Sequence, residues 1–489
     1  MVVWADGIYY NVFQGETQQV LKIFQERRLN MTNQDVFRKM SVWSAIARMS
    51  IPALVSILVM LLYNMTDMYF VARMGDSSAV ASVAIVMPVF TVLMAISTLL
   101  GNGGCTLVAQ SLGAGNTKRA KACSSLCVWA CIVFGAVIAV LVFIFRNPLL
   151  RFLGANEDMW SAAETYLLVL SAGAPLILLN HSLSNIVRGE GAARQGMYGG
   201  LVATVTNIIL DPVFITGLSL GVAGAAIATV LGNAVGVAYY LLYKRHHETL
   251  LTMNIRYAKQ ELSLLGTILA LGMPNAVSSV LSGFASTFSN RLLVDYSTGA
   301  VAAMAAASRV TLIISLVPMG VCMGIQPLMA YCHGAQDTGK LKETLKKMAL
   351  ISIVLGLAMG AVSFFARSAI VGLFDGGDQA VRELGAHFVT IQIVTAPLIG
   401  FFFLGMSYLQ ASGKALLATI VSGMRQGVLL IPLLYLMEAL FQLDGIAFAH
   451  VLADSLATII CVTAALIFLR KELQISRFAD WSKAKEMEN

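Results

Sequence analysis

The chain has 489 residues, 58% hydrophobic and 12% charged, with 33 Lys and Arg against 26 Asp and Glu for a formal charge of +7. Soluble domains average about 45 to 50% apolar and about 25% charged. So few charges cannot coat a core of this apolarity in water, and the composition points to an all-α integral membrane protein.

In chain order, the first 40 or so residues are polar and lack the basic start, apolar core and cleavage site of a signal peptide, so 1–43 reads as a cytoplasmic arm. Met31 opens MTNQDVFRKM and is an alternative start. Apolar runs of about 20 residues, the length that crosses about 30 Å of hydrocarbon, then predict twelve spans. They fall near 46–72, 79–110, 121–145, 160–187, 196–217, 222–243, 264–292, 300–330, 345–367, 380–410, 416–441 and 445–470.

The first span carries Tyr63 and Asp67 in YNMTDMYF, the fourth His181 and Asn185, the fifth Asn207 and Asp211 in TNIILDPVF, and the sixth Thr229. GNGGC (101–105) is not a strand-to-helix turn, and RGEGAAR (188–194) lacks the GK[ST] ending of a phosphate loop. Arg309 and Arg425 lie within second-half spans. The seven cysteines, with Cys123, Cys127 and Cys131 four apart, form neither a metal-ligand nor a disulfide pattern and read as small buried thiols.

Orientation follows from the basic residues. With both termini inside, 25 of the 33 Lys and Arg fall on inside segments, including NTKRAK, KLKETLKK and the linker that opens KRHH. That bias accounts for the positive charge, and no nucleic-acid partner is expected.

Shifted by 220 to 222 residues, the chain overlies itself. Pro52 meets Pro274, Pro175 meets Pro397, Pro212 meets Pro432, Gly224 meets Gly445, and AQSLGAGNTKRA meets AYCHGAQDTGKL. Six spans per copy is an even number, so the repeats are parallel, an arrangement in which two bundles rock about a site between them. The expected division is an arm (1–43), a first lobe (44–243), a cytoplasmic linker (244–263), a second lobe (264–470) and a cytoplasmic tail (471–489).

Ionisable residues inside a span cost about 2.5 to 3.5 kcal/mol each on insertion scales and mark candidate sites. Counted from the nearest outer turn at helical rise, Asp67 lies about 9 to 12 Å deep, Asp211 about 9 to 15 Å and Thr229 about 12 Å. Tyr63 with Asp67, and Asn207 with Asp211, are four apart and share a helix face. Pro212 removes a backbone donor beside Asp211 and frees a carbonyl. Such an oxygen-rich cluster can take up a proton or hold sodium at Asp67, Asn207, Asp211 and Thr229, or serve as an interhelical hydrogen-bond tie. His181, Asn185, Arg309 and Arg425 are candidates to line a central cavity. Neither DDxxD nor HExxH occurs, and no cofactor or enzymatic activity is expected.

Taken together, LLYNMTDMYFVARMG, AQSLGAGNTKRAK, NIVRGEGAAR, TNIILDPVF and VAGAAIATVLGN resemble the MATE family of multidrug and toxic compound extrusion transporters over about residues 40 to 470. The resemblance implies two lobes in a V and an antiporter that exports bulky, often cationic drugs and toxins in exchange for protons or sodium. Carried over by position, it implies a first-lobe cation site at Asp67, Tyr63, Asn207, Asp211 and Thr229. The seventh and tenth spans lack the carboxylates of NorM-like members, so the likeness is to the DinF-like branch. It further implies a monomer in a bacterial inner membrane. The alternative among related folds is a flippase for lipid-linked saccharides.

Overall fold

The computed structural model describes residues 34–72, 77–373 and 377–488, with side chains over 34–60, 78–373 and 377–474. Every element among the described residues is helical. A hydrocarbon environment dictates this, because a helix satisfies its backbone polar groups within one segment.

A short α1 (Asp35–Arg38) leads into α2 (Val42–Ala72), α3 (Ser77–Gly113) and α4 (Thr117–Leu153). The expected fourth span is two helices, α5 (Glu157–Ala172) and α6 (Ala174–Gly189), bent by 51° at Gly173. The close approach of α8 explains the glycine there, since a Cβ on Gly173 would lie 2.2 Å from Val230. α7 (Ala193–Pro212) runs into a π-helical turn, Val213–Gly217, and α8 (Gly221–His246) closes the first half.

After α9 (Ile255–Gln260) the second half repeats the plan with α10 (Leu264–Val294), α11 (Thr298–Gly334) and α12 (Thr338–Val371). Its fourth span is again broken, as α13 (Gln379–Gln392), a short 3-10 turn and α14 (Ala396–Ala411). α15 (Ala415–Gly423), a π turn (Met424–Val428) and α16 (Leu430–Glu488) complete the chain. Local signals repeat with the fold: Asn116 and Asp337, 221 residues apart, cap α4 and α12 by accepting from Arg119 N–H and Lys340 N–H.

Among the described residues ten helices are long and apolar enough to cross a membrane, and the bent pair α5 and α6 makes an eleventh. The last of the ten, Ala415–Gln474, reverses at Gln442, whose φ of 52° is left-handed. It therefore supplies two spans, joined across the reversal by an Arg425–Asp454 contact, and the total is twelve. The chain is an all-α membrane protein of two six-span repeats in two lobes.

Among the described residues the halves share a core at one end. One apolar core runs through both, from Leu100, Leu107 and Leu112 across Ile268 and Leu271 to Ile325, Leu328 and Leu409. A separate core, including Met304, Val310, Phe388 and Ile446, stays within the second half. At the shared end α3 lies against α10 and α11 so tightly that a Cβ on Gly103 would sit 1.9 Å from Ile268 O, and one on Gly272 1.9 Å from Leu99 O.

Candidate functional site

The first-half cluster forms where α6, α7 and α8 converge. Glycines set the spacing: a Cβ on Gly232 would lie 2.7 Å from Ala203 O and 3.1 Å from Asn207 Cβ, and one on Gly236 2.3 Å from Asn180 Oδ1. In this gap Asp211 is 0% exposed, with Asn207 and Thr229 at 2% each.

Asn207 joins the other two. With its amide nitrogen turned to the carboxylate it donates to Asp211 Oδ2 at 3.1 Å, and its oxygen accepts from Thr229 N–H at 3.2 Å. In the opposite orientation the nitrogen sits 3.4 Å from Asp211 Oδ1 and 3.5 Å from Thr229 Oγ1. The first orientation satisfies both ends of the amide.

Pro212 closes α7 directly after Asp211, and the π turn that follows has Thr216 Oγ1 donating to Pro212 O at 2.6 Å. Pro212 cannot donate to Ile208 O one turn back, which leaves a backbone carbonyl beside the acid. π segments recur at functional sites because they break the hydrogen-bond ladder at one point.

Sequence reasoning brought Asn207, Asp211 and Thr229 together and missed two neighbours. Asn180 of α6 donates to Asn233 Oδ1 at 3.0 Å, and Asn233 of α8 donates to Thr229 O at 2.8 Å. Asn180 Oδ1 is buried without a hydrogen-bond partner, an acceptor left over in a dry setting. The signal available in sequence was the Thr229 to Asn233 spacing of four, which places both on one face of α8.

The Tyr63 and Asp67 side chains lie outside the described residues. Their helix α2 packs directly on α7, the helix of Asp211.

The cavity candidates separate. Asn185 donates to the His181 backbone carbonyl at 2.9 Å and accepts from Arg188. Arg309 is exposed on α11. Arg425 is engaged: its Nε lies 2.7 Å from Asp454 Oδ1, and its guanidinium sits over the Phe402 and Phe403 rings at 4.7 and 5.6 Å. A water-facing cavity cation is not what the geometry gives for Arg425.

The sequence matches the MatE family over residues 52–213 and 274–436, one match per repeat. It is 31% identical over 436 residues to the multidrug export protein MepA of Staphylococcus aureus strain NCTC 8325, covering 88% of this chain and 94% of the relative. MepA of Staphylococcus saprophyticus is 29% identical over 446 residues, covering 90% and 97%. Among solved structures, a MATE protein in the bent conformation superposes with a TM-score of 0.85 at 24% identity, covering 91% of this chain and 99% of that one. An outward-facing multidrug resistance MATE transporter of the MOP superfamily gives 0.83 at 25% identity, covering 90% and 99%.

Proposed function

Because this chain belongs to the MatE family of multidrug efflux transporters, we propose that it is a cation-coupled antiporter. It exports bulky organic, often cationic, drugs and toxins by alternating access between residues 44–243 and 264–470, driven by inward movement of protons or sodium. The observation that carries the reading is Asp211, a carboxylate with no exposed surface that Asn207 bonds and links to Thr229.

A bare carboxylate in such surroundings is costly, whereas a protonated one or one bound to a hard cation is not. Asp67, on the helix that packs against α7, is the second acid of the site. Asn207 holds Asp211 and joins it to Thr229, Asn233 and Asn180 extend the polar track behind Thr229, and Tyr63 lies one turn before Asp67. Ion entry from outside neutralises the pair, α2 adjusts, and substrate leaves the cleft; ion release inside resets the cycle. Coupling of this kind requires the ion to bind the two states with different affinity. The basic-residue bias supports termini in the cytoplasm of a bacterial inner-membrane protein. A monomer contains the complete site.

The test is efflux of a fluorescent organic cation from proteoliposomes under a proton or a sodium gradient imposed separately. Wild type should respond to one gradient. Asp67→Asn and Asp211→Asn should lose the response by at least about tenfold, the equivalent of about 1.4 kcal/mol of differential ion binding. Full gradient-driven flux in either variant overturns the reading. Absence of flux in folded wild type under both gradients would favour lipid-linked saccharide flipping instead.

A further inference from the structure

The second half holds a polar cluster at the repeat positions of the first-half site. At the 222-residue offset that joins Pro175 to Pro397, Asn180 corresponds to Phe402. At the 221-residue offset that joins Gly224 to Gly445, Thr229 corresponds to His450 and Asn233 to Asp454. In the first half Asn180 and Asn233 bond directly at 3.0 Å. In the second half a guanidinium stands at the same place, with Arg425 stacked on Phe402 on one side and paired with Asp454 on the other.

The pair is interior by chain position. Arg425 is ten residues past the start of α15, about 15 Å along the helix, and Asp454 twelve past the reversal at Gln442, about 18 Å. The two side chains are 12% and 18% exposed. Arg425 sits in a π turn, as the first-half acid sits beside one. Among the described residues the titratable groups of this pocket are Arg425 from the turn and His450 and Asp454 from α16. The facing helices α14 and α10 bring Phe402, Phe403 and Leu281.

We propose that Arg425 is a tethered occupant of a latent monovalent-cation site in the second half, and that it fixes how many ions are exchanged per cycle. The inference rests on the cation coupling proposed above and adds what limits it. With the guanidinium in place Asp454 is neutralised permanently, so the second half contributes no exchangeable ion and the first-half acids set the stoichiometry. Without it Asp454 is a largely enclosed carboxylate stripped of its counter-charge, which recruits a proton or a sodium ion. Only Nε of Arg425 bonds Asp454, and the rest of the guanidinium is held by ring faces, so an apolar side chain can fill its volume.

The experiment compares wild type, Arg425→Met and Arg425→Met with Asp454→Asn in proteoliposomes. It reads the ions exchanged per fluorescent organic cation from the gradient that just halts net flux. Wild type and the double variant should share one number, and Arg425→Met should require one ion more. On purified protein, Arg425→Met alone should gain a saturable thermal stabilisation by sodium, or by protons on lowering the pH, that the double variant lacks. An unchanged ion number with no gained stabilisation overturns the inference. Should wild type show no coupling, the antiporter reading fails, and the thermal comparison still decides whether Arg425 fills a cation site. If Arg425→Met does not fold, Arg425→Gln, which retains a hydrogen bond to Asp454, is read by the same two measurements.

Discussion

Glu190, in the turn between α6 and α7, grips the connection between the halves. It is 3% exposed, and its carboxylate accepts from Thr249 Oγ1 at 2.8 and 2.7 Å and from Leu250 N–H at 3.0 Å. Ser125 and Trp129 hold the same stretch by donating to Asn254 O and Met253 O, so the linker is fastened along the first half. Burial pushes the Glu190 carboxyl from 4.5 up to about 7, against the downward pull of the Thr249, Leu250 and Leu251 bonds. Between those two values the folded protein keeps a proton that the unfolded chain has released, so this group's stabilisation falls as pH rises and levels off above about 7. The full effect is on the order of 3 kcal/mol. Glu190→Gln keeps an acceptor for Leu250 and removes the titration. In detergent, its melting temperature should therefore lie above that of wild type at pH 8 and close to it at pH 5. Parallel pH dependences for the two proteins would remove Glu190 from the account.

Helices here are placed by what they lack. GNGGC in α3 has no phosphate to cradle; its glycines let neighbours in. A Cβ on Gly104 would sit 2.5 Å from Cys127 Sγ, and one on Gly103 1.9 Å from a backbone carbonyl of α10 that has no rotamer to change. Gly103→Ala must therefore separate α3 from α10 at the end where the halves meet, at a cost of about 1 to 3 kcal/mol typical of overpacking. The buried thiols of Cys105 on α3 and of Cys332 on α11, which meets the same end of α3 at Gly113, report it. Maleimide labelling of both should accelerate about tenfold for each 1.4 kcal/mol lost. Gly200→Ala, with nothing within 4 Å of the added carbon, should label like wild type. Equal labelling of Gly103→Ala would sink the seam argument. The same contrast explains what the sequence discloses. Spans depend on length and apolarity, and the repeat on recurring Pro and Gly, so twelve helices in two copies were legible. The Asn207, Asp211 and Thr229 grouping was legible from depth and spacing of four. Asn180 and Asn233, the π turns and the partner of Arg425 depend on which helices meet, and an intramembrane Asn or Arg looks the same in sequence whether it is tied or free.

At the scale of the molecule, polar bridges reinforce the closed end. Gln326 of the second half donates to Thr106 Oγ1 of the first and to Gln410 Oε1, both at 2.9 Å, and Gln110 donates to Ala411 O at 2.7 Å. The segment leading into α2 crosses the same seam. Phe37 stacks on Tyr331 at 4.8 Å, its carbonyl accepts from Lys340, and Arg38 Nε donates to the Tyr331 hydroxyl at 3.1 Å. On the orientation proposed above this end is cytoplasmic, and this conformation would be the outward-facing one. Gln326→Ala leaves Thr106 and Gln410 short of a partner, and the Thr106 bond across the halves, about 1 to 3 kcal/mol, is the part lost from this conformation alone. A tilt of that size shifts the balance toward the inward-facing state by roughly five- to 150-fold. Spin labels at the exposed Lys118 and Lys342 flank the seam from opposite halves, and pulsed distance measurements should show a longer population in Gln326→Ala than in wild type. An unchanged distribution would mean that the apolar core, not the glutamine bridge, holds this end shut. The two kinds of variant then part ways in transport. Under the proposed coupling, Asp211→Asn should lose the ion's preference between states and with it the response to a gradient, whereas Gln326→Ala should keep that preference and change only the gradient at which half-maximal export is reached.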